Sequence, residues 1–172
     1  MTVQPCDLCV LLAGFDAGAG LDALVWRDER VAVVLVDEAG YPGFCRVVWH
    51  GHVKEMSDLG AAERSRVMEV VWQVELAQRE VMRPGKINLA SFGNMTPHVH
   101  WHVIPRYLDD AHFPNPTWAA ARRAPAADTL AARGGVVWGR GGGRVQRPHL
   151  FEGSTKGQQR KKRKAIDTRH QD

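Results

Sequence analysis

The stretch His98-Val99-His100-Trp101-His102-Val103-Ile104, running on into Pro105-Arg106-Tyr107, decides the fold. Three histidines at alternate positions, interleaved with Val and Trp, read as a β-strand, because successive side chains on a strand point to opposite faces. His98, His100 and His102 then share one face, while Val99, Trp101 and Val103 anchor the other in a core. Chance seldom produces such alternation, so a run of merely exposed histidines is the weakest reading. Side chains at i and i+2 lie about 6.6 Å apart along a strand, and those at i and i+4 about 13 Å apart. Two neighbouring imidazoles can converge on one metal ion, but all three cannot readily do so. A metal reading uses His98 with His100, or His100 with His102, helped by His50, His52 or a cysteine. A covalent reading has a neutral imidazole attack phosphorus while its neighbours hold its tautomer and bind phosphate oxygens; water then resolves the intermediate.

Working outward, residues 86–91 read as a strand and 92–97 as a loop too short for a helical crossover, which makes the two strands antiparallel neighbours, the second ended by Pro105. Upstream, Val67, Val70, Val71, Val74, Ala77 and Val81 recur at helical spacing. This predicts one amphipathic helix of about twenty residues, capped by Gly60 with Glu63 at the third helical position, or alternatively by Ser57 or Asp58, and stopping at Pro84-Gly85. Residues 24–26, 31–36 and 44–50 read as strands, the last two paired as a hairpin across the turn residues 37–43. Residues 1–22, with Cys6-Asp7-Leu8-Cys9 and then Gly14, Gly18 and Gly20, read as a cysteine-bearing turn and a loose connector. The cysteine pair alone supports plain thiols or half a zinc site; a redox motif would want a following helix. Strands, helix, strands in this order predict an α+β fold, an antiparallel meander with one long helix packed on a face.

Composition is that of an ordinary globular chain of 172 residues, 44% apolar and 24% charged. The net charge of +4 hides a split: residues 1–132 carry 12 Lys/Arg against 16 Asp/Glu, and residues 133–172 carry 11 against 3. We therefore expect a catalytic domain over 1–119, an Ala-rich connector over 120–132, and a basic Gly/Arg/Lys-rich tail over 133–172 that is disordered. The tail includes Arg160-Lys161-Lys162-Arg163-Lys164; nucleic-acid contact through it is conceivable but not central, and the abrupt change of composition also fits an altered reading frame. Three cysteines, no charged leader before a long apolar segment, and no run of about 20 apolar residues lead us to expect a reducing cytoplasm and no membrane span.

The histidine stretch resembles the His-φ-His-φ-His-φ-φ signature of the histidine triad superfamily of nucleotide hydrolases and transferases. Asp37 after a buried strand, the Pro42-Gly43 turn, the strand leading to His52, the long helix, Asn88 and Gly93-Asn94 stand in family order. The run from Gly93 to Tyr107 looks most like a bacterial branch described as diadenosine-polyphosphate-hydrolase-like, and the resemblance covers residues 1 to about 119. It implies a half-barrel protomer, paired as a homodimer, that acts on a nucleotide. It also implies that His100 attacks the α-phosphorus, that His102 contacts phosphate and leaving group, and that Asn88 and Asn94 orient nucleophile and phosphate. Asp37 would bind the ribose, and His98 would join Asp37, Asn94 and His102 in the substrate-binding set. Some bacterial members hold a structural zinc through positions matching Cys6, Cys9, His52 and His98, with His50 a possible substitute for His52.

There are departures. Phe44 stands where relatives often have His, and Arg106 suits either a distal phosphate or a surface ion pair. His102, a position resembling glutamine in the nucleotidyltransferase branch, favours release to water. The implied activity is hydrolysis of an adenosine di- or polyphosphate or a phosphoramidate through a nucleotidyl-His100 intermediate, with no organic cofactor. Its rivals are a mononuclear zinc hydrolase using a His-x-His pair and a non-catalytic nucleotide-binding or regulatory protein.

Overall fold

A computed structural model describes residues 5–136 of the chain, with side chains through residue 134; most of the basic tail lies outside the described residues. The elements are α1 (Asp7–Asp16), β1 (Leu24–Arg27), β2 (Val31–Leu35), β3 (Cys45–Trp49), a short 3-10 turn (Met56–Asp58), α2 (Ala61–Met82), β4 (Lys86–Ala90), β5 (His100–Arg106) and α3 (Ala127–Val136). The five strands form one sheet in the order β1-β2-β3-β5-β4, every pair antiparallel. This is the expected α+β class, with the predicted hairpins β2–β3 and β4–β5.

Strand alternation divides the core into two layers. Val31, Val33, Cys45, Val47, Val99 and Val103 pack with Val67, Val70, Val71 and Val74 of α2. Ala32, Val34 and Val48 face the other way and pack with Leu8, Leu12 and Phe15 of α1. Each of these larger apolar side chains contributes on the order of 2 kcal/mol by leaving water.

The start of α2 follows its sequence signal: the Gly60 N–H donates to the Glu63 carboxylate at 2.8 Å. The helix ends at Arg83, held in the left-handed region at φ 49° before Pro84. Its buried face includes Met82, while Val81 is only half buried. Gln78 is also buried, and its amide donates to the carbonyls of Gly43 (2.8 Å) and Val103 (3.1 Å), tying helix to sheet. Gly43 has φ +82°, a backbone conformation that favours glycine, and a Cβ there would also push the end of the Met82 side chain aside.

Three expectations are corrected. Residues 7–16 are a helix, not a turn and connector, because Leu8, Leu12 and Phe15 fall at i, i+4, i+7 and find a sheet face to cover. The histidine strand starts at His100 and runs through Pro105 to Arg106. Proline is tolerated because β3 pairs with β5 only as far as Val103, beyond which β5 has a single neighbour. Finally, α3 occupies the Ala-rich segment and crosses residue 133, the edge drawn for the tail, as expected of Ala-rich sequence with Asp128 in its first turn.

Candidate functional site

The start of the histidine stretch meets the start of the chain. His98 is buried, and its Nε2–H donates to the Trp49 carbonyl at 2.6 Å. A carbonyl only accepts, so Nε2 carries the proton and the Nδ1 lone pair is free. That Nδ1 lies 3.4 Å from Cys6 Sγ and 3.5 Å from Cys9 Sγ, and His52 Nδ1 lies 3.3 Å from Cys9 Sγ. The four ligand atoms are all within 4.8 Å of one another. Around a tetrahedral zinc, sulfur and nitrogen ligands sit about 3.5 Å apart. Two thiols, two imidazoles and a carbonyl that fixes one tautomer therefore fit a metal ion. Burial, with Cys6 as neighbour, pushes the Cys9 thiol up, so a cation is what would make thiolates favourable here.

Among the described residues this is the one such cluster, and it contains neither His100 nor His102. His52, and not His50, belongs to it. The His98 ring turns its Nδ1 to the thiols and its Nε2 to the Trp49 carbonyl, and it is not among the residues lining the cavity of His100 and His102. Cys45 is fully buried in β3 and its thiol is pushed up to about 12 by burial, an inert core group.

His100 and His102 stand on the α1-facing side of β5, their ring centroids 5.0 Å apart. His100 Nδ1–H donates to the His98 carbonyl at 2.6 Å, which leaves its Nε2 lone pair free. Burial lowers the pKa of His100 and, further, that of His102, to about 4; His100 and Arg46 add to the effect on His102. Both rings are neutral at pH 7. His102 Nε2 is buried without a hydrogen-bond partner, and so is Nε of Arg46, its cross-strand neighbour on β3. With Asn94, Phe92 and Leu8 these three line an open cavity of about 280 Å³. Phe44 packs on His102 with centroids 5.2 Å apart, and Phe92 does so at 5.4 Å.

The other expected residues stand further out. Asn88 on β4 shares the face of His102, but its Oδ1 accepts from Arg106 Nη1 at 2.6 Å, which leaves its Nδ2 as the donor toward a substrate. Arg106 is only 1% exposed and held by Asp110, so it is neither a surface ion pair nor free to reach a phosphate. Asp37 is exposed and lines a separate cavity, of about 290 Å³, with Glu38, Pro42 and Leu130 and Ala131 of α3.

The HIT domain model matches residues 21–109, just over half of the chain. The chain belongs to the HIT family. Curated proteins named AP-4-A phosphorylase, from two strains of Mycobacterium tuberculosis (CDC 1551 and H37Rv), are 30% identical to it over 96 residues. That covers 52% of this chain and 49% of theirs, so the chain spans about half the length of the curated relatives it matches. Solved HIT proteins share the fold. One from Marinobacter aquaeolei VT8 is 21% identical with a TM-score of 0.54, covering 78% of this chain and 97% of its own. One from Bradyrhizobium japonicum is 23% identical with a TM-score of 0.53, covering 68% and 92%.

Beyond the histidines, this HIT chain carries Arg46 at the site, a residue the sequence reading did not single out. Its signal is an arginine in an otherwise apolar strand, Cys45–Trp49, at the position paired with His102.

Proposed function

We propose that this HIT protein is a nucleotide phosphohydrolase that cleaves an adenosine di- or polyphosphate, or a phosphoramidate, at the α-phosphorus through a nucleotidyl-His100 intermediate. The observation that carries the reading is the locked tautomer of His100: its Nδ1–H is spent on the His98 carbonyl, which leaves the Nε2 lone pair free on a ring that lines a cavity with a second neutral imidazole. In the first step Nε2 attacks phosphorus and the bond to the leaving group breaks, its electron pair departing with that group. In the second, water attacks phosphorus and the P–N bond breaks, returning the pair to His100. His102 and the amides of Asn88 and Asn94 would hydrogen-bond phosphoryl oxygens, and Asp37 would take the ribose.

Cys6, Cys9, His52 and His98 would hold a structural zinc. With four protein ligands it would have no open position for a reacting water, which disfavours the zinc-hydrolase rival. Its role would be to clamp the start of α1 to the segment before β5. We also propose the homodimer: β4 is an edge strand, and Trp72 and Leu76 stand exposed one turn apart on α2. No helix among the described residues is long and apolar enough to cross a membrane, and a cytoplasmic location remains part of the proposal.

The name of the mycobacterial relatives supports a second reading, in which phosphate replaces water as the acceptor. Labelled adenine nucleotides, incubated with the full chain and with His100→Ala, test both. Turnover by the wild type and a loss of about 10³-fold or more in the variant are expected. Unchanged turnover in the variant refutes the nucleophile. Added phosphate separates the acceptors, because a diadenosine polyphosphate attacked by phosphate yields ADP from the transferred adenylyl group and one attacked by water yields AMP.

A further inference from the structure

Arg46 is the cation at this site that the protein itself does not neutralise. Its guanidinium projects from β3 on the same face as His102, with Cζ 6.0 Å from the centroid of Phe44. Its Nε is buried without a hydrogen-bond partner. Among the described residues no carboxylate lies within salt-bridge distance of it, whereas Arg27, Arg66, Arg106 and Arg133 are paired with Asp16, Asp28, Asp110 and Asp109. An arginine taken half out of water beside two imidazoles is costly unless an anion completes it. The cavity it lines with His100 and His102 is where such an anion would sit.

We infer that Arg46 binds the leaving phosphate of a polyphosphate chain and makes this site selective for phosphate over amine leaving groups. The inference rests on the proposed attack by His100. When the P–O bond of a polyphosphate breaks, its electron pair stays on the departing phosphate oxygen, and a fixed guanidinium neutralises the charge without transferring a proton. An amine leaving from a phosphoramidate has the opposite need. It must gain a proton, which a guanidinium that stays charged throughout the reaction cannot supply. The fork of guanidinium donors also matches phosphate oxygens two at a time, as an ammonium does not.

The test uses the full chain and Arg46→Leu, Arg46→Gln and Arg46→Lys, with two substrates and one inert probe. For a dinucleoside polyphosphate, kcat/KM should fall about 100-fold in the Leu and Gln variants and less in Lys; for an adenosine phosphoramidate it should change less than about threefold. Inorganic tripolyphosphate, followed by calorimetry, should bind the wild type and lose at least about 30-fold in affinity in Arg46→Leu. Equal losses on both substrates, or tripolyphosphate binding that ignores the substitution, would overturn the inference. Because the Leu variant removes an unpaired charge, its melting temperature should stay level or rise; a marked drop would reveal an internal partner and also overturn it. Arg46-dependent binding of tripolyphosphate without turnover of either substrate would instead sink the hydrolase reading and leave the anion site standing.

Discussion

Asp110→Ala should be among the most destabilising single substitutions in this chain, and more so than removal of the arginine it pairs with. Arg106 and Asp110 are 1% and 2% exposed, and two of their contacts, 2.7 and 3.0 Å, join guanidinium to carboxylate. The carboxylate also accepts from the backbone N–H of His112 (2.9 Å) and Phe113 (2.7 Å), with a longer approach from Tyr107 (3.3 Å). Burial alone would raise its pKa, but Arg106 and these N–H groups outweigh it and hold the carboxyl below its ordinary value. Removing Asp110 leaves a buried cation with only neutral acceptors, Asn88 Oδ1 and the Asn115 carbonyl. Stripping one partner from a buried pair costs about 3–5 kcal/mol, a large share of the roughly 5–15 kcal/mol typical of a domain. Arg106→Met leaves the carboxylate its N–H donors and replaces the arginine stem with apolar volume, so about 1–3 kcal/mol is expected. Urea unfolding of both variants, followed by tryptophan fluorescence, gives the two numbers directly. A cost below about 1 kcal/mol for Asp110→Ala, or a larger cost for Arg106→Met, would refute the reasoning.

Two further outcomes are expected. The purified full chain should carry about one zinc per protomer, and Cys9→Ser or His52→Ala should abolish it; a chelator should lower the melting temperature of the wild type alone, and acid should release the metal as thiolates and imidazoles protonate. A wild type free of metal and indifferent to the chelator would dispose of the cluster. Stability should also fall with pH at His102: from about 6.5 down to about 4 the unfolded chain binds a proton there that the folded chain refuses. The full shift corresponds to about 3 kcal/mol, reduced to about 1–2 kcal/mol by the ring's partial exposure. His102→Phe should flatten that stretch of the stability–pH curve, and parallel curves for variant and wild type would count against a neutral buried ring.

Much of this fold could be read from the chain because its two periods are clean. The unbroken apolar run of 31–35, buried on both faces, the alternation of 98–103, and the 3.6-residue recurrence of Val67, Val70, Val71 and Val74 report burial that the sheet and the two helices provide. The signals that failed belong to residues whose environment is assembled by distant partners. Leu8, Leu12 and Phe15 have helical spacing, but Gly14 interrupts them and Gly18 and Gly20 follow closely, and only the packed sheet face outweighs that propensity. Pro105 reads as a stop until β3 proves too short to need its missing N–H. Arg106 reads as a strand-end cation, yet the loop carrying Asp110 and Asn115 folds back over it. Arg46 went unmarked because an isolated arginine in a strand says nothing of the two histidines across the sheet.

The spacing of the histidines has a stronger justification than a shared face. A ring at i+2 can reach the main-chain carbonyl of residue i, and that is the bond His100 makes to His98. His98 thus serves two sites with different atoms: its ring faces the thiols of Cys6 and Cys9 and the carbonyl of Trp49, while its own carbonyl fixes the tautomer of His100. Its side chain could be exchanged without removing that carbonyl, but the exchange would take away the ring's bond to the Trp49 carbonyl, one of the ties between this segment and β3 beside the backbone bond from Trp49 to Val99. The cluster of thiols and imidazoles and the candidate nucleophile are therefore one mechanical unit. A substitution that frees His98 is therefore expected to loosen His100 as well, and the two-residue period lets one residue touch both.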